Sequence, residues 1–160
     1  MESSQLPRRL DRRPRLDDCV YGPSGYPTHA SITSYRRRPI LTCTAGLPEI
    51  ISEAIREAAM AHGVNVHCYC IMPDHVHVVG SVQPGGTHQR KFIQSLKKRA
   101  TMHAGRQQRL WQESFYDHVL RGDEDLLSVC VYVLNNPVRK GLAKDWREYA
   151  HCWLSSDVGS

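Results

Sequence analysis

The sequence has no apolar run that approaches the length of a membrane-spanning helix. Its first residues, MESSQLPRRLDRRPRLDD, contain five arginines and no apolar core, so they lack the pattern of a secretory signal. These two absences predict a soluble, cytoplasmic protein. The chain has 160 residues, which is enough for one hydrophobic core and too few for two. We expect a basic, flexible arm over residues 1–27, one domain over 28–153 and a short tail over 154–160.

The cysteines lack the spacing of a zinc site. The chain has six of them, and Cys68 and Cys70 are separated by one residue rather than two, with no second pair following. Cys130 and Cys152 lie in apolar surroundings. Buried free thiols are therefore favoured over a disulfide framework or a metal site.

Acidic residues are absent between Pro84 and Leu110. The seven basic residues of this stretch are Arg90, Lys91, Lys97, Lys98, Arg99, Arg106 and Arg109. The stretch carries a charge of +7, whereas the whole chain carries +5, so the positive charge is concentrated locally. Such a concentration is typical of a phosphate-binding surface, although a basic helix face is often only solvated surface.

Hydrophobic periodicity predicts the order of the secondary-structure elements. Strands are predicted from alternation and turn residues, and helices from apolar residues three and four apart. The predicted strands span residues 29–34, 64–72, 75–82 and 114–121, and the predicted helices span 47–62, 88–104 and 124–136. Gly63 should end the first helix, and Asp123 should cap the last. The tail with Trp146, Tyr149 and Trp153 should fold back on the body.

This order, β-α-β-β-α-β followed by a helix, is that of an α+β ferredoxin-like sandwich with an added C-terminal helix. Such a fold has an antiparallel sheet with helices on one face. The stretch CYCIMPDHVHVVGSV, residues 68–82, forms a central hairpin that turns at residues 72–74. Because residues two apart on a strand share a face, His75 and His77 point away from the helices if Val76 and Val78 point toward them.

The added helix carries further polar residues, within DEDLLSVCVYVLNNPVRKGL. The residues predicted to face the core are Leu127, Cys130, Val131 and Leu134. Tyr132 and Asn136 lie one turn apart on another face. Pro137 disfavours helix at the residue before it, so Asn136 should end the helix with a carboxamide that can turn outward. Two imidazoles, one amide oxygen and a phenol would form a three-ligand divalent-metal site beside a nucleophile.

Each of these features also has a simpler interpretation. A His-x-His pair on a strand can be two polar or stacked residues. Asn-Asn-Pro is a common helix stop, and a tyrosine on a helix usually serves in packing. The combination favours a functional site more strongly than any single feature.

Two segments resemble a known family. MPDHVHVVGSV resembles the histidine-hydrophobic-histidine (HUH) motif of single-tyrosine transposases of the IS200-like type. The run from Phe115 to Leu142 resembles the branch called REP-associated tyrosine transposases, and the basic segment SLKKR lies where that family has one. The resemblance covers about residues 28–153. Asp74 stands where the family commonly has Asn, and Lys140 stands where the family residue is usually small.

The resemblance implies that His75, His77 and Asn136 bind Mg²⁺ or Mn²⁺ and that Tyr132 is the nucleophile. The implied reaction is cleavage and rejoining of single-stranded DNA through a 5′-phosphotyrosine intermediate, at hairpin or REP-like palindromic sequences. A monomer and a homodimer both remain open. The alternatives on the same fold are a non-catalytic single-stranded nucleic-acid-binding module and a metal-dependent nuclease that uses water.

Basic side chains are the expected contacts to the DNA phosphates. The predicted DNA-binding residues are Arg36, Arg37, Arg38, Arg90, Lys91, Lys97, Lys98, Arg99 and Arg139. Extruded bases would stack on aromatic residues such as Tyr35, Trp111 or Tyr116, all of which could equally be core or edge residues.

Overall fold

The computed structural model describes residues 25–105, 109–121 and 124–158. The strands are β1 (Thr28–Thr33), β2 (Val64–Ile71), β3 (His75–Val82), β4 (Tyr116–Val119) and β5 (Cys152–Leu154). The helices are α1 (Leu47–His62), α2 (Gln89–His103), α3 (Leu126–Leu134) and the short α4 (Asn136–Arg139), with a 3₁₀ turn at Tyr35–Arg37. Most of the predicted arm, residues 1–24, lies outside the described residues, as do Arg106 and Asp123.

Local sequence signals set the helix ends. Gly63 follows α1 with a left-handed φ of 62°, which confirms it as the stop. The imidazole of His88 caps α2. Asp125 rather than Asp123 caps α3, because its carboxylate accepts hydrogen bonds from the backbone N–H groups two and three residues further on. The helix therefore starts two residues later than predicted.

The sheet has the strand order β4-β1-β3-β2-β5, and all neighbouring strands are antiparallel. Strands β1 to β4 thus have the split arrangement of the ferredoxin-like fold, which confirms the predicted fold class. Strand β4 is shorter than the predicted 114–121. In the register of β1 against β3, Ser31 lies opposite His77 and Thr33 lies opposite His75.

The main core lies between one face of the sheet and helices α1 and α2. Its largest fully buried side chains include Ile32, Ile51, Ile55, Phe92, Ile93 and Leu96. Val76 and Val78 of β3 are fully buried in this core. Because side chains alternate along a strand, His75 and His77 face the opposite side of the sheet, as predicted.

Helix α3 packs on that opposite side, over β2 and part of β3. Cys130, Val133 and Leu134 of α3 contact Cys68 and Cys70 of β2 in a second core. The buried thiols are free, as expected from the sequence. The face with the histidines is therefore open only where α3 does not cover it.

The buried stripe of α3 differs from the predicted one. Leu127 and Val131 were expected to face the core, yet they are 41% and 45% exposed, whereas Val133 is buried. Nearly every position of LLSVCVYVL is apolar, so two neighbouring stripes fit a 3.6-residue period equally well. Contact with the sheet selects the stripe that contains Val133.

The C-terminal segment folds back on the body, as predicted. The hydroxyl of Tyr149 donates to the carbonyl oxygen of Ile71 at 2.9 Å. Residues of β5 then extend the sheet by pairing with β2, a strand that sequence analysis missed. In the part of the chain that the structure describes, no helix is both long and apolar enough to cross a membrane.

Candidate active site

The two histidines of β3 converge on each other. The Nε2 atoms of His75 and His77 are 3.0 Å apart, and the ring planes are nearly perpendicular at 88°. Nitrogen ligands about 2.1 Å from one ion and at a right angle to each other are about 3.0 Å apart. The spacing of the two nitrogens therefore fits a shared cation.

The other ring nitrogen of each histidine also has a partner. Nδ1 of His75 lies 2.6 Å from Oδ1 of Asp74, and Nδ1 of His77 lies 3.0 Å from Nε2 of His29. An ionised carboxylate only accepts hydrogen bonds, so Asp74 fixes the proton of His75 on Nδ1 and leaves Nε2 as a lone pair. His77 can present the same lone pair when its Nδ1–H donates to His29.

His29 is a site residue that sequence analysis missed. It lies on β1, on the same sheet face as His77, and directly opposite His118 of β4. Nε2 of His118 in turn contacts Oε1 of Glu124 at 2.7 Å. A row of imidazoles thus crosses three strands. The sequence does show a histidine in the predicted first strand. Only the register of β1 against β3, however, shows that His29 contacts His77.

The inner two imidazoles of this row are neutral at physiological pH. Burial, and then the neighbouring side chains of His75, His29 and Arg139, lower the pKa of His77 to about 3. Burial and then the charge of His118 lower the pKa of His29 to about 4. A neutral imidazole has a lone pair available for a metal, so the environment keeps His77 ready to act as a ligand.

The third predicted ligand has a different setting from the one expected. Asn136 is only 8% exposed, and its Nδ2 donates to the carbonyl oxygen of Val133 at 2.9 Å. Its Oδ1 accepts a hydrogen bond from Arg139 at 3.1 Å. The prediction of an outward-turned carboxamide is wrong, because Pro137 starts a new helical turn, α4, instead of ending the helical path.

Tyr132 lies on the exposed side of α3, with 57% of its surface accessible. The guanidinium of Arg139 lies over its ring, 4.0 Å from the centroid, in a cation–π contact. Arg139, predicted only as a DNA contact, thus joins Tyr132 and Asn136 directly, and it acts on His77 through its charge.

Among the described residues, no group of three or more His, Cys, Asp or Glu side chains is arranged to hold a metal ion. A divalent cation at His75 and His77 would therefore need an oxygen ligand of another kind. The carboxamide of Asn136 is such an oxygen, and it is now held by Arg139. The donor chemistry fits Mg²⁺ or Mn²⁺ once this hydrogen bond is released.

The other predicted DNA contacts fall into two places. Those on α2 are Arg90, Lys91, Lys97, Lys98 and Arg99, and this helix packs on the sheet face opposite the histidines. The Lys97 ammonium donates to the carbonyl oxygens of Gln112 and Glu113, and Arg99 pairs with Glu57. These two side chains thus already have partners within the fold, whereas Lys91 and Lys98 are exposed.

The second place is the loop after β1, which holds Arg36, Arg37 and Arg38. Nε of Arg37 lies 3.5 Å from Oδ2 of Asp74, the residue that also orients His75. The three arginines therefore lie at the same end of the sheet as the histidine pair. Of the aromatic residues named from the sequence, Trp111 is buried, whereas Tyr116 is 54% exposed.

Known proteins share both the sequence pattern and the fold. A REP-associated tyrosine transposase of Escherichia coli K12 is 25% identical over 123 residues, which cover 77% of this chain and 72% of that protein. A Haemophilus influenzae protein named as a REP-associated tyrosine transposase is 29% identical in a 93-residue alignment that covers 48% of this chain and 53% of that protein. This chain thus aligns with only about half the length of the Haemophilus relative.

A solved structure of a REP-associated tyrosine transposase bound to a REP hairpin has the same fold. Its TM-score is 0.69 with 21% sequence identity, over 82% of this chain and 78% of that chain. The family model described as "Transposase IS200 like" matches residues 24–136, which include both histidines, Tyr132 and Asn136. The chain belongs to the IS200-like transposase family.

Proposed function

We propose that this chain is a DNA strand transferase that cleaves and rejoins single-stranded DNA, with Tyr132 as the nucleophile. The observation that supports the proposal is the geometry of two groups of side chains. The Nε2 atoms of His75 and His77 converge at 3.0 Å on β3, and Arg139 contacts both Tyr132 and Asn136 of the C-terminal helices while its charge acts on the pKa of His77. Family membership supports the same reaction class.

In the proposed first step, the phenolic oxygen of Tyr132 attacks a phosphodiester. A bond forms between that oxygen and phosphorus, and the bond from phosphorus to the 3′ oxygen breaks. The phenol loses its proton and the departing 3′ oxygen gains one, which leaves a 5′-phosphotyrosine and a free 3′-hydroxyl. A 3′-hydroxyl of another strand reverses these steps, and the retained ester makes an energy-rich cofactor unnecessary.

Arg139 is the proposed positioning residue for the nucleophile. Its stack on the Tyr132 ring restricts the orientation of an otherwise exposed side chain. Its guanidinium also offers donors to a phosphate, since arginine binds phosphate oxygens in a bidentate manner. DNA that takes up these donors would release the carboxamide of Asn136.

His75, His77 and the released Asn136 would hold the cation. When bound, Mg²⁺ or Mn²⁺ polarises the phosphodiester and stabilises charge on the departing oxygen. Asp74 and His29 hold the opposite ring nitrogens, so they would keep the two Nε2 atoms available to such a cation. The mixed nitrogen and oxygen ligands suit Mn²⁺ at least as well as Mg²⁺.

The proposed substrate is hairpin or REP-like palindromic DNA. The structural neighbour is bound to a REP hairpin, and the E. coli relative is REP-associated by name. Arg36, Arg37 and Arg38 would contact the strand near the cleavage site, because their loop lies at the histidine end of the sheet and Arg37 pairs with Asp74. Lys91 and Lys98, on the opposite layer, would contact more distant phosphates.

A covalent-trapping assay tests the proposal. Labelled hairpin DNA from the flanks of the gene is incubated with the protein and Mn²⁺ or with a chelator, and the products are separated on a denaturing gel. We expect a metal-dependent protein–DNA adduct with the wild-type protein and no adduct with Tyr132→Phe. Tyr26→Phe is the matched control, because Tyr26 is similarly exposed, at 53%, and precedes β1 at the end of the strand away from Thr33, the residue opposite His75.

Two other results would each replace the proposal by a rival. Cleavage that survives Tyr132→Phe but not His77→Ala, without an adduct, identifies a nuclease that uses water. DNA that is retarded on a native gel but remains uncut with either protein identifies a binding module.

A further inference from the structure

The loop after β1 forms a small basic pocket. Its cavity of about 310 Å³ is lined by Tyr35, Arg36, Arg38 and Arg109. This volume is at the lower end of the range of sites that hold small organic ligands. The lining consists of one aromatic ring and three guanidinium groups. It is therefore complementary to a ligand that carries both a negative charge and a flat ring.

The backbone of this loop is strained in a way that shapes the pocket. Arg36 and Arg37 have φ angles of 56° and 54°, a left-handed conformation that is uncommon for residues other than glycine. Such strain persists only where the surroundings hold it, and it is concentrated at functional sites. Here the two guanidinium groups diverge, because Arg36 lies 5.3 Å from the Tyr35 ring centroid whereas Arg37 pairs with Asp74.

The side chains of the pocket can bind both parts of a nucleotide. The guanidinium of Arg109 lies 5.2 Å from the Tyr35 ring centroid, so this ring has two cationic groups around it. Arg38 also lines the pocket, and its Nε has no hydrogen-bond partner among the described residues, so the fold does not occupy this guanidinium at Nε; guanidinium groups bind phosphate oxygens. Bases stack on tyrosine rings and on guanidinium planes irrespective of their identity.

The pocket adjoins the turn that carries the histidine site. The backbone N–H of Ser34 donates to the carbonyl oxygen of Asp74 at 2.9 Å, and that of Leu41 donates to the carbonyl oxygen of Pro73 at 2.9 Å. Asp74 is also the hydrogen-bond partner of His75. The pocket therefore lies on a loop that is hydrogen-bonded to the turn before His75.

We infer that this pocket binds one unpaired nucleotide of the strand whose phosphodiester is cleaved. Arg36, Arg38 and Arg109 hold its phosphate, and its base stacks against the Tyr35 ring or its flanking guanidinium groups. The inference rests on the proposed function and deepens it, because it names a pocket that recognises one nucleotide of the DNA strand that is cleaved.

An abasic scan tests the inference. Hairpin DNA from the flanks of the gene is prepared with a base removed at one position of its single-stranded arms at a time. Affinity is measured by fluorescence anisotropy for the full chain that carries Tyr132→Phe, so cleavage does not interfere. We expect one arm position at which removal of the base weakens binding about 5- to 150-fold, the range for loss of one stacked base.

The pocket variant is Arg36→Gly in the same background. This change removes the guanidinium. Glycine adopts a positive φ without strain, so the left-handed backbone conformation at position 36 is retained. We expect weaker binding of intact DNA and no further loss from the abasic site at the sensitive position. Arg56→Ala is the control, because Arg56 is an exposed arginine of α1 that pairs with Glu53. The Arg56→Ala variant should lose as much affinity as the parent protein when the base is removed at the sensitive position.

The inference is overturned if no arm position is sensitive in the parent protein, or if Arg36→Gly remains as sensitive as the parent at that position. It is also overturned if Arg36→Gly binds the DNA as tightly as the parent does. Failure of the proposed function is a separate result, because it is read from the adduct assay or from a complete lack of hairpin binding by the wild-type chain.

Discussion

Replacement of His29 by leucine should weaken metal binding without removing a metal ligand. A cation at Nε2 of His77 forces the proton of that ring onto Nδ1, where Nε2 of His29 accepts it at 3.0 Å. Leucine removes this acceptor and leaves a buried N–H without a partner. An unsatisfied buried donor costs about 1–3 kcal/mol, which corresponds to a loss of about 5- to 150-fold in affinity. Loss of a residue that hydrogen-bonds to a metal ligand typically lowers metal affinity 10- to 100-fold.

The assay is titration of the protein with Mn²⁺ in the absence of DNA, followed by electron paramagnetic resonance of the free ion. His29→Gln should recover most of the affinity, because its side-chain oxygen can reach the position of Nε2 and accept the same hydrogen bond. His67→Leu is the matched control. His67 is a buried histidine of β2 whose Nε2 contacts Oγ of Ser81 at 2.7 Å, on a strand that does not carry the pair.

The reasoning about His29 is refuted if His29→Leu binds Mn²⁺ within threefold of wild type, or if His67→Leu loses as much. If wild type and His77→Ala bind Mn²⁺ equally, the histidine pair itself is not the metal site. Nitrogen chemical shifts of the His77 ring provide a second readout. In the wild type loaded with diamagnetic Mg²⁺ they should report a proton on Nδ1.

Three further predictions concern the fold and the link between its two halves. Phe92→Ala should lower the free energy of unfolding by about 3–5 kcal/mol in urea titrations, because the ring is fully buried between helix and sheet. Asp125→Ala should lower the free energy of unfolding by about 1 kcal/mol in the same titrations, because α3 loses its N-cap. Arg139→Gln should slow adduct formation at least about tenfold, because Tyr132 loses its stacking partner. The same variant should bind Mn²⁺ at least as tightly as wild type, because a positive charge is removed and Asn136 loses its hydrogen bond from Arg139. Weaker Mn²⁺ binding by Arg139→Gln would contradict the assigned role of Arg139.

Much of the fold could be predicted from local sequence patterns. Alternation along β3 is sufficient to place His75 and His77 on one face, because Val76 and Val78 are the apolar members of the same strand. The α1 boundaries follow from its apolar spacing and from Gly63. These features depend on residues that are close in the sequence, and the structure agrees with them.

What the sequence could not supply depends on long-range pairing. The contact of His29 with His77 requires the register of β1 against β3, and no local pattern determines that register. The orientation of α3 was ambiguous because nearly all its residues are apolar. The setting of Asn136 was mispredicted because Pro137 can begin a helical turn as well as end one. In each case a tertiary contact chose between local alternatives.

The central claim is that Tyr132 becomes covalently attached to DNA, and peptide mapping tests it most directly. The trapped adduct is digested with nuclease and protease, and the modified peptide is identified by mass spectrometry. The chain has seven tyrosines, so the site of attachment discriminates among real alternatives. We predict a 5′-phosphonucleotide on Tyr132. Attachment at another tyrosine, or no modified peptide from DNA that has been cleaved, would contradict the account.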